Sequence, residues 1–134
     1  MKTISLMFAA TLLAACSSAP TPKSSLDGEV FYLQRSALPP TATLSVTLQD
    51  VSLADAPAVV IARENGPIKG QVPLPFHLEY DPGQIEPGHR YAISARIEAD
   101  GKLLFNNPEQ VSVRLDGTDP KPLRIKLTPA RLRP

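Results

Sequence analysis

The hydrophobic and polar positions of this chain alternate with a period of two along several short segments. The alternation is strict around Leu44, Val46 and Leu48, and it recurs from Tyr91 to Ile97. Successive side chains of a β-strand point to opposite faces, so the pattern predicts strands with one face on a core. Further strands are predicted at 29–34, 58–62, 74–80, 103–105, 111–115 and 123–127.

Two of these segments depart from simple alternation. Residues 58–62 are continuously apolar, which is consistent with a strand covered on both faces and closed by the turn residues 65–67. The strand around Leu74 begins with Pro73 and Pro75. Because proline has no amide donor, we expect this strand to begin at the edge of a sheet.

Turn residues separate the apolar runs throughout the chain. Proline accounts for 15 of the 134 residues, which disfavours long helices. Asp100-Gly101 between two apolar runs predicts a type I′ hairpin. Seven or eight short strands then predict an all-β domain at 28–128, a single antiparallel β-sandwich. A β-barrel is the alternative architecture. The side chains predicted to face inward are mainly Leu, Val and Ile, which favours two packed sheets over a barrel.

The first 15 residues have the pattern of a signal peptide. Lys2 is followed by a mainly apolar run at 4–13, which is too short to span a bilayer. The run ends in Leu13-Ala14-Ala15-Cys16, which resembles the lipobox of bacterial lipoproteins. That resemblance implies cleavage before Cys16 and acylation of its sulfur and amino group, which anchors the chain stably. The alternative is an ordinary secretory or buried cysteine.

The segments that flank the domain are polar or basic. Residues 16–27 are small, polar and proline-rich at first, which predicts a flexible tether between the lipid and the domain. Ser17 stands where an aspartate would signal retention at the inner membrane, so family rules favour the outer membrane. The domain would face the periplasm, with exposure at the cell surface as the alternative. The segment 129–134 is a basic tail, in which Arg131 and Arg133 are candidates for contact with an anionic surface. The alternative is that this tail is simply solvated.

Charge and cysteine content restrict the possible partners. Without Lys2 the basic side chains number the same as the 13 acidic ones, so a nucleic-acid partner is not expected. Cys16 is the one cysteine of the chain. Once it is acylated no disulfide is possible, and the domain depends on its apolar core.

No motif of catalysis or metal binding stands out. His77 and His89 have no second histidine or cysteine at ligand spacing, so we expect surface histidines and no metal or cofactor. Asp50, Asp55 and Asp81 could be imagined as paired carboxylates of a glycosidase, but each adjoins a turn where aspartate caps backbone amides. No Gly-x-Ser-x-Gly elbow is present. We do not expect an enzyme.

An ordered series of short motifs resembles the YbaY/YscW-like lipoprotein family. The matching segments are LPP at 38–40, LSVTLQDVSLADAP at 44–57, GQVPLPF at 70–76, YDP at 80–82, ARI at 95–97 and GKLLF at 101–105. The family's best understood members are pilotins, which chaperone the secretin ring of type III secretion machines to the outer membrane. The larger branch, which this chain resembles more closely, consists of stand-alone envelope lipoproteins. The resemblance implies a lipid-anchored β-sandwich and supplies no active-site motif.

The function expected from these observations is binding of a protein partner. Val72, Leu74 and Phe76 combine a predicted sheet edge with apolar side chains, and such an edge can accept an extended segment by strand addition. The alternative is that the prolines only protect this edge. Two other functions stay open: a structural or polysaccharide- and peptidoglycan-binding envelope module, and an inhibitor of a periplasmic hydrolase.

Overall fold

The structure is a computed structural model that describes residues 22–130. Cys16, Arg131 and Arg133 therefore lie outside the described residues. Nine strands form within them. They are β1 (Ser24–Phe31), β2 (Thr43–Asp50), β3 (Val59–Pro67), β4 (Leu74–Tyr80), β5 (Tyr91–Ala99), β6 (Lys102–Asn106), β7 (Val111–Val113), β8 (Leu123–Lys126) and β9 (Thr128–Pro129). A 3-10 turn at Pro82–Gln84 lies between β4 and β5. In this part of the chain, no helix combines the length and the apolar character that crossing a membrane requires.

The strands form two sheets. The three-stranded sheet has the order β4-β1-β8, and the six-stranded sheet has the order β3-β2-β5-β6-β9, with β7 also pairing with β5. The predicted all-β sandwich is confirmed. One detail differs from the expectation: β1 and β8 are parallel, whereas the other pairs are antiparallel. A parallel pair needs a long connection, and here the rest of the domain lies between the two strands.

Both sheets contribute one face to a single apolar core. Alternate side chains of β4 and β8 are buried, as their period of two predicted. Ile93 and Ile97 of β5 are fully enclosed, and Tyr32 stacks on Phe105 of β6 with ring centroids 4.1 Å apart. Gly28 of β1 lies under the ring of Phe76, where any Cβ would collide with it. The core thus joins the sheets through closely fitted side chains.

The strand directions give the sandwich two distinct ends. β1 begins at the end that carries the connections 51–58, 81–90 and 114–122, and we call this the tether end. The opposite end carries the connections 32–42 and 68–73 and the turn between β5 and β6, and we call it the hairpin end. The type I′ turn is confirmed there, since Asp100 and Gly101 have φ values of 53° and 77°.

Two strands differ in extent or position from the sequence expectation. β1 begins at Ser24, inside the segment expected to be a tether, because Ser24 to Asp27 pair with β4 and bury Leu26 in the core. The expectation that residues 58–62 are covered on both faces is wrong. Val59 and Val60 are 60% and 45% exposed, because β3 is an edge strand and continues to Pro67.

Candidate functional site

Two edge strands from different sheets lie next to each other. β3 ends the six-stranded sheet and β4 ends the three-stranded one, and the two strands contact each other. At the hairpin end they enclose a cleft of about 190 Å³, which we call the β3–β4 cleft. Its lining residues are Leu44, Val46, Glu64, Gly66, Pro67, Ile68, Lys69, Leu74 and Pro75. The cleft is therefore largely apolar, with one acidic and one basic side chain.

The cleft is a small opening into the edge of the core. Leu74 and Val46 in its lining belong to the buried core, whereas Leu44 and Ile68 are partly buried and pack against it. The backbone amide of Ile68 donates to the carbonyl of Ala42, 3.0 Å away, which fixes the connection that follows β3. The lining is thus held in place by the core and by backbone hydrogen bonds.

The residues predicted for partner binding lie at this edge but point mainly inward. Leu74 and Phe76 are buried in the core, at 3% and 4% exposure, and Val72 packs against it from the preceding connection. Leu74 lines the cleft, whereas Phe76 covers Gly28. A partner at β4 would therefore meet the backbone edge and Leu74, not a row of apolar side chains.

The outer edge of β4 has few amides available for a partner. Pro75 has no amide hydrogen, and the amide of His77 donates to the carboxylate of Glu64 on β3, 2.7 Å away. Residues two apart on a strand direct their amides to the same side, so Pro75 and His77 lie on one edge. This arrangement agrees with the alternative that the prolines protect the edge, whereas no sequence pattern indicated the contact from Glu64.

The imidazole of His77 is held between two carboxylates. It forms a short hydrogen bond with Asp27 of β1, and its Nε2 lies 3.5 Å from Glu79. The hydrogen bond to Asp27 raises the pKa of His77, and the charge of Glu79 adds to the effect. This histidine is exposed, as expected, but it links β4 to β1.

β3 presents a different edge. In the described residues it pairs only with β2, and no proline interrupts it before Pro67. Val59, Val60 and most of the following residues are exposed or partly exposed. An unpaired row of strand amides and carbonyls is a template for a further strand. A bulge at Ile61 interrupts the pairing of β3 with β2, so the regular part of this edge begins at Ala62. From there to Gly66, β3 is the more accessible of the two edges.

A second polar cluster lies at the tether end. Asp50 accepts hydrogen bonds from the amide and hydroxyl of Ser52, and Nδ1 of His89 lies 2.6 Å from its other oxygen. Nε2 of His89 lies 2.9 Å from Glu86. The Ser52 hydroxyl and then His89 lower the pKa of Asp50 to about 2, and Asp50 raises the pKa of His89. The cluster joins the end of β2 to the connection before β5.

The polar side chains of the tether-end cluster are engaged in hydrogen bonds within the fold. The expected turn roles of Asp50 and Asp81 are confirmed, since each accepts the backbone amide two residues ahead. In residues 22–130, no group of three or more His, Cys, Asp or Glu side chains could hold a metal ion. The hydroxyl of Ser52 donates to Asp50 and accepts from the amide of Arg90 at 2.8 Å, so it is part of a structural network.

Comparisons with known proteins agree with this architecture. The family described as "Type III secretion system lipoprotein chaperone (YscW)" matches residues 21–127. The "Uncharacterized lipoprotein YbaY" of Escherichia coli (strain K12) is 39% identical over 96 residues, which are 71% of this chain and 50% of the relative. The chain thus spans about half the length of this curated relative.

A solved structure is similar over most of the chain. Its title is "Structure of an alternative pilotin from the type II secretion system of Vibrio cholerae". The two chains are 46% identical in sequence, and their structures superpose with a TM-score of 0.72. The match covers 82% of this chain and 99% of that one. The resemblance seen in the sequence is confirmed, and the two relatives are a lipoprotein and a pilotin. The family match extends across β1 to β8, so the chain belongs to the YscW family of lipoprotein chaperones.

Proposed function

We propose that this protein is an outer-membrane lipoprotein chaperone that binds a segment of a secretion-system component at the β3–β4 cleft. The single observation that carries the proposal is the apolar cleft at the accessible edge of the sandwich in a member of the chaperone family. The partner class is a subunit of the outer-membrane secretion channel, a secretin. The proposed anchor is acylated Cys16, with the domain in the periplasm.

The cleft has the chemical features of a site for an anchoring side chain. Binding energy at protein interfaces is concentrated in a few apolar or aromatic residues that enter well-packed pockets. Leu44, Ile68 and Leu74 provide such walls, and about 190 Å³ suits a single large side chain. Glu64 and Lys69 lie at the same cleft and can select the charges of the flanking residues.

The edge of β3 beside the cleft supplies the backbone part of the site. A segment in extended conformation can pair with the free edge from Arg63 to Gly66 and place one side chain in the cleft. This assignment moves the proposed contact from the side chains of β4, which are in the core, to the edge of β3. It retains Leu74 as a wall of the site.

The proposal is tested by binding of the purified secretin subunit from the same bacterium. Lys69→Glu replaces the one basic side chain of the cleft with an acidic one, and Ile68→Asp places a carboxylate in its wall. We expect Ile68→Asp to weaken binding by tenfold or more, about 1.4 kcal/mol, because a hot-spot contact is lost. Lys69→Glu should change affinity less and alter its salt dependence.

Leu103→Asp is the matched control. Leu103 is 38% exposed on β6, away from the cleft, so the same kind of change there should leave binding unchanged. Thermal melting of each variant separates lost binding from lost folding. Equal affinity of Ile68→Asp and the unmodified protein would refute the cleft as the site.

The lipid anchor is tested separately. Cys16→Ser should abolish incorporation of labelled palmitate and deplete the protein from the outer-membrane fraction. A variant that stays in the outer membrane would contradict the proposed anchor. Sedimentation of the protein with purified peptidoglycan, with no affinity for the secretin, would favour the alternative of a cell-wall-binding module.

A further inference from the structure

β3 presents different residues to the two sides of its free edge. The β3–β4 cleft lies on the core side, where Glu64 and Gly66 line it. The outer face of the six-stranded sheet carries another concave site of about 210 Å³, which we call the outer indentation. The register explains this division, because Glu64 pairs with Val46 of the core, whereas the next residue along the strand points to the opposite face.

The outer indentation is polar and basic. Its lining consists mainly of hydroxyl and amide side chains, among them Ser45, Thr47 and Ser94, together with Arg63 and Arg96. Within residues 22–130, no carboxylate lines it. The cleft on the core side, by contrast, has one acidic and one basic side chain. The outer indentation therefore carries an excess of positive charge beside groups that can donate hydrogen bonds to an anion.

Arg63 has no acidic neighbour on β2. Thr47 is directly opposite it, and the positions two residues away on the same face of β2 carry serine and glutamine. Arg96 differs, because its Nε lies 3.1 Å from a carboxylate oxygen of Glu98. Since β2 occupies one side of Arg63 and β3 is an edge strand, the open cross-strand position beside Arg63 is on the side of an added strand.

A strand added to β3 would present side chains to both concave sites. Directly opposite residues on neighbouring strands share a face, with their Cβ atoms about 4.5–5.5 Å apart. The residue opposite Arg63 would therefore lie at the outer indentation, and the next residue of the added strand would face the cleft. One extended segment can thus fill both sites with alternate side chains.

The position of Arg63 suits a contact with such a segment. It lies in the part of β3 whose pairing with β2 is regular, so the added strand would meet ordinary strand geometry. Its side chain is exposed, so no core packing is lost when it contacts a partner. An arginine guanidinium can form two parallel N–H···O hydrogen bonds with a carboxylate, which makes the contact selective in geometry as well as in charge.

We infer that Arg63 is a specificity-determining residue, and that the segment bound at the β3–β4 cleft carries an acidic side chain opposite Arg63. The apolar side chain that enters the cleft is then adjacent to this acidic residue in the partner's sequence. This inference rests on the function proposed above and adds the chemistry of the bound segment to it. Two observations support it: the basic lining of the outer indentation, and its continuity with the cleft across a single strand.

The test measures binding of the purified secretin subunit to Arg63→Glu, with Lys126→Glu as the matched control. Each change replaces an exposed basic side chain on a strand with an acidic one, but Lys126 lies on β8 in the other sheet. At about 0.05 M salt we expect Arg63→Glu to weaken binding about fivefold or more, because an attraction becomes a repulsion, and Lys126→Glu by less than about twofold. At about 0.5 M salt the effect of Arg63→Glu should fall to about twofold.

Ile68→Asp separates this inference from the function on which it rests. If Ile68→Asp loses binding while Arg63→Glu and Lys126→Glu bind equally well, the inference is overturned and the cleft stays as the site. A secretin subunit that does not bind the unmodified protein would overturn both. Tighter binding of Arg63→Glu would mean that the partner presents a basic residue there, which also overturns the inference. Thermal melting of each variant confirms that it is folded.

A crosslink identifies the acidic residue directly. Arg63→Lys keeps the positive charge and introduces an amine, which a carbodiimide joins to a carboxylate in contact with it. We expect peptide mass spectrometry of the treated complex to find position 63 linked to an Asp or Glu of the secretin subunit, with an apolar residue beside it in the sequence. A complex that forms but gives no link from position 63 to the secretin would contradict the inference.

Discussion

β3 and β4 are neighbouring edge strands, yet the chain treats their edges in opposite ways. β4 directs its apolar side chains into the core, begins with prolines, and has one outer amide bound to Glu64. β3 exposes two valines and pairs only with β2 among the described residues. Unprotected edges favour unwanted association, so natural proteins block them unless they are used. The contrast supports the proposal that a partner binds at the edge of β3, whereas the edge of β4 is blocked.

The largest expected difference between the two strands is in stability. Leu78 of β4 is 1% exposed, so Leu78→Ala should lower the free energy of unfolding by about 2–5 kcal/mol through lost contacts and a cavity. Val59→Ala on β3 should change it by less than about 0.5 kcal/mol, because the side chain is mostly in solvent. Urea denaturation measures both. Similar losses for the two variants would remove the distinction.

Two glycines give a sharper form of the same comparison. A Cβ on Gly28 would lie 2.3 Å from the carbonyl oxygen of Leu123 and 2.5 Å from the ring of Phe76. Gly28→Ala should therefore cost about 1–3 kcal/mol or more through overpacking. Gly66 on β3 has nothing within 4 Å of its Cβ position, so Gly66→Ala should be neutral or stabilising by up to about 1 kcal/mol. If Gly28→Ala unfolds at the same urea concentration as the unmodified protein, Gly28 does not pack as closely against Phe76 and Leu123 as described.

Opening the blocked edge of β4 should make the protein self-associate. Pro75→Val restores an amide hydrogen, and Glu64→Ala releases the amide of His77. We expect the double variant to lose about 0.5–1.5 kcal/mol of stability and to self-associate with rising concentration, as sedimentation velocity would reveal. Pro40→Val, in the connection before β2, is the control for a proline change alone. No increase in association would mean that the edge is protected by other means.

The smallest expected effect is the pH dependence that His77 gives to β4. Its pKa is raised by Asp27, so its favourable contribution is present below the unfolded value of about 6.5 and is lost as pH rises through the folded value. The stability difference between the natural protein and His77→Gln should be larger at pH 5.5 than at pH 8.5. Denaturation at both pH values, with an NMR titration of the imidazole, measures it. A measured pKa of His77 below 6.5 would mean that its contribution to stability grows with rising pH, which contradicts the prediction.

The local rules in the sequence predicted most of the fold. Alternation identified β2, β4, β5 and β8, and Asp100-Gly101 identified the hairpin. Both features are local, because residues close in sequence determine which side chains share a strand face and which turn the backbone adopts. Ser24 to Asp27 contain a single apolar residue, so no pattern marked them as a strand. Their pairing with β4 comes from tertiary structure.

The candidate site was less predictable than the fold. The apolar run at 58–62 suggested burial on both faces, but whether a strand is central or at an edge depends on which strands pair with it. The proline-rich segment at 72–76 did mark an edge, yet its side chains fill the core. The cleft beside it forms where Leu44 and Ile68 at the edge of one sheet meet Leu74 of the other, and they meet only when the two sheets pack.

Hydrogen exchange of the intact protein, with and without the purified secretin subunit, distinguishes recognition at β3 from recognition at β4. We predict that amides of β3 from Arg63 to Gly66 gain protection on binding, whereas the amides of β4 stay as they are. Protection that appears on β4 and not on β3 would contradict the assignment of the recognition edge.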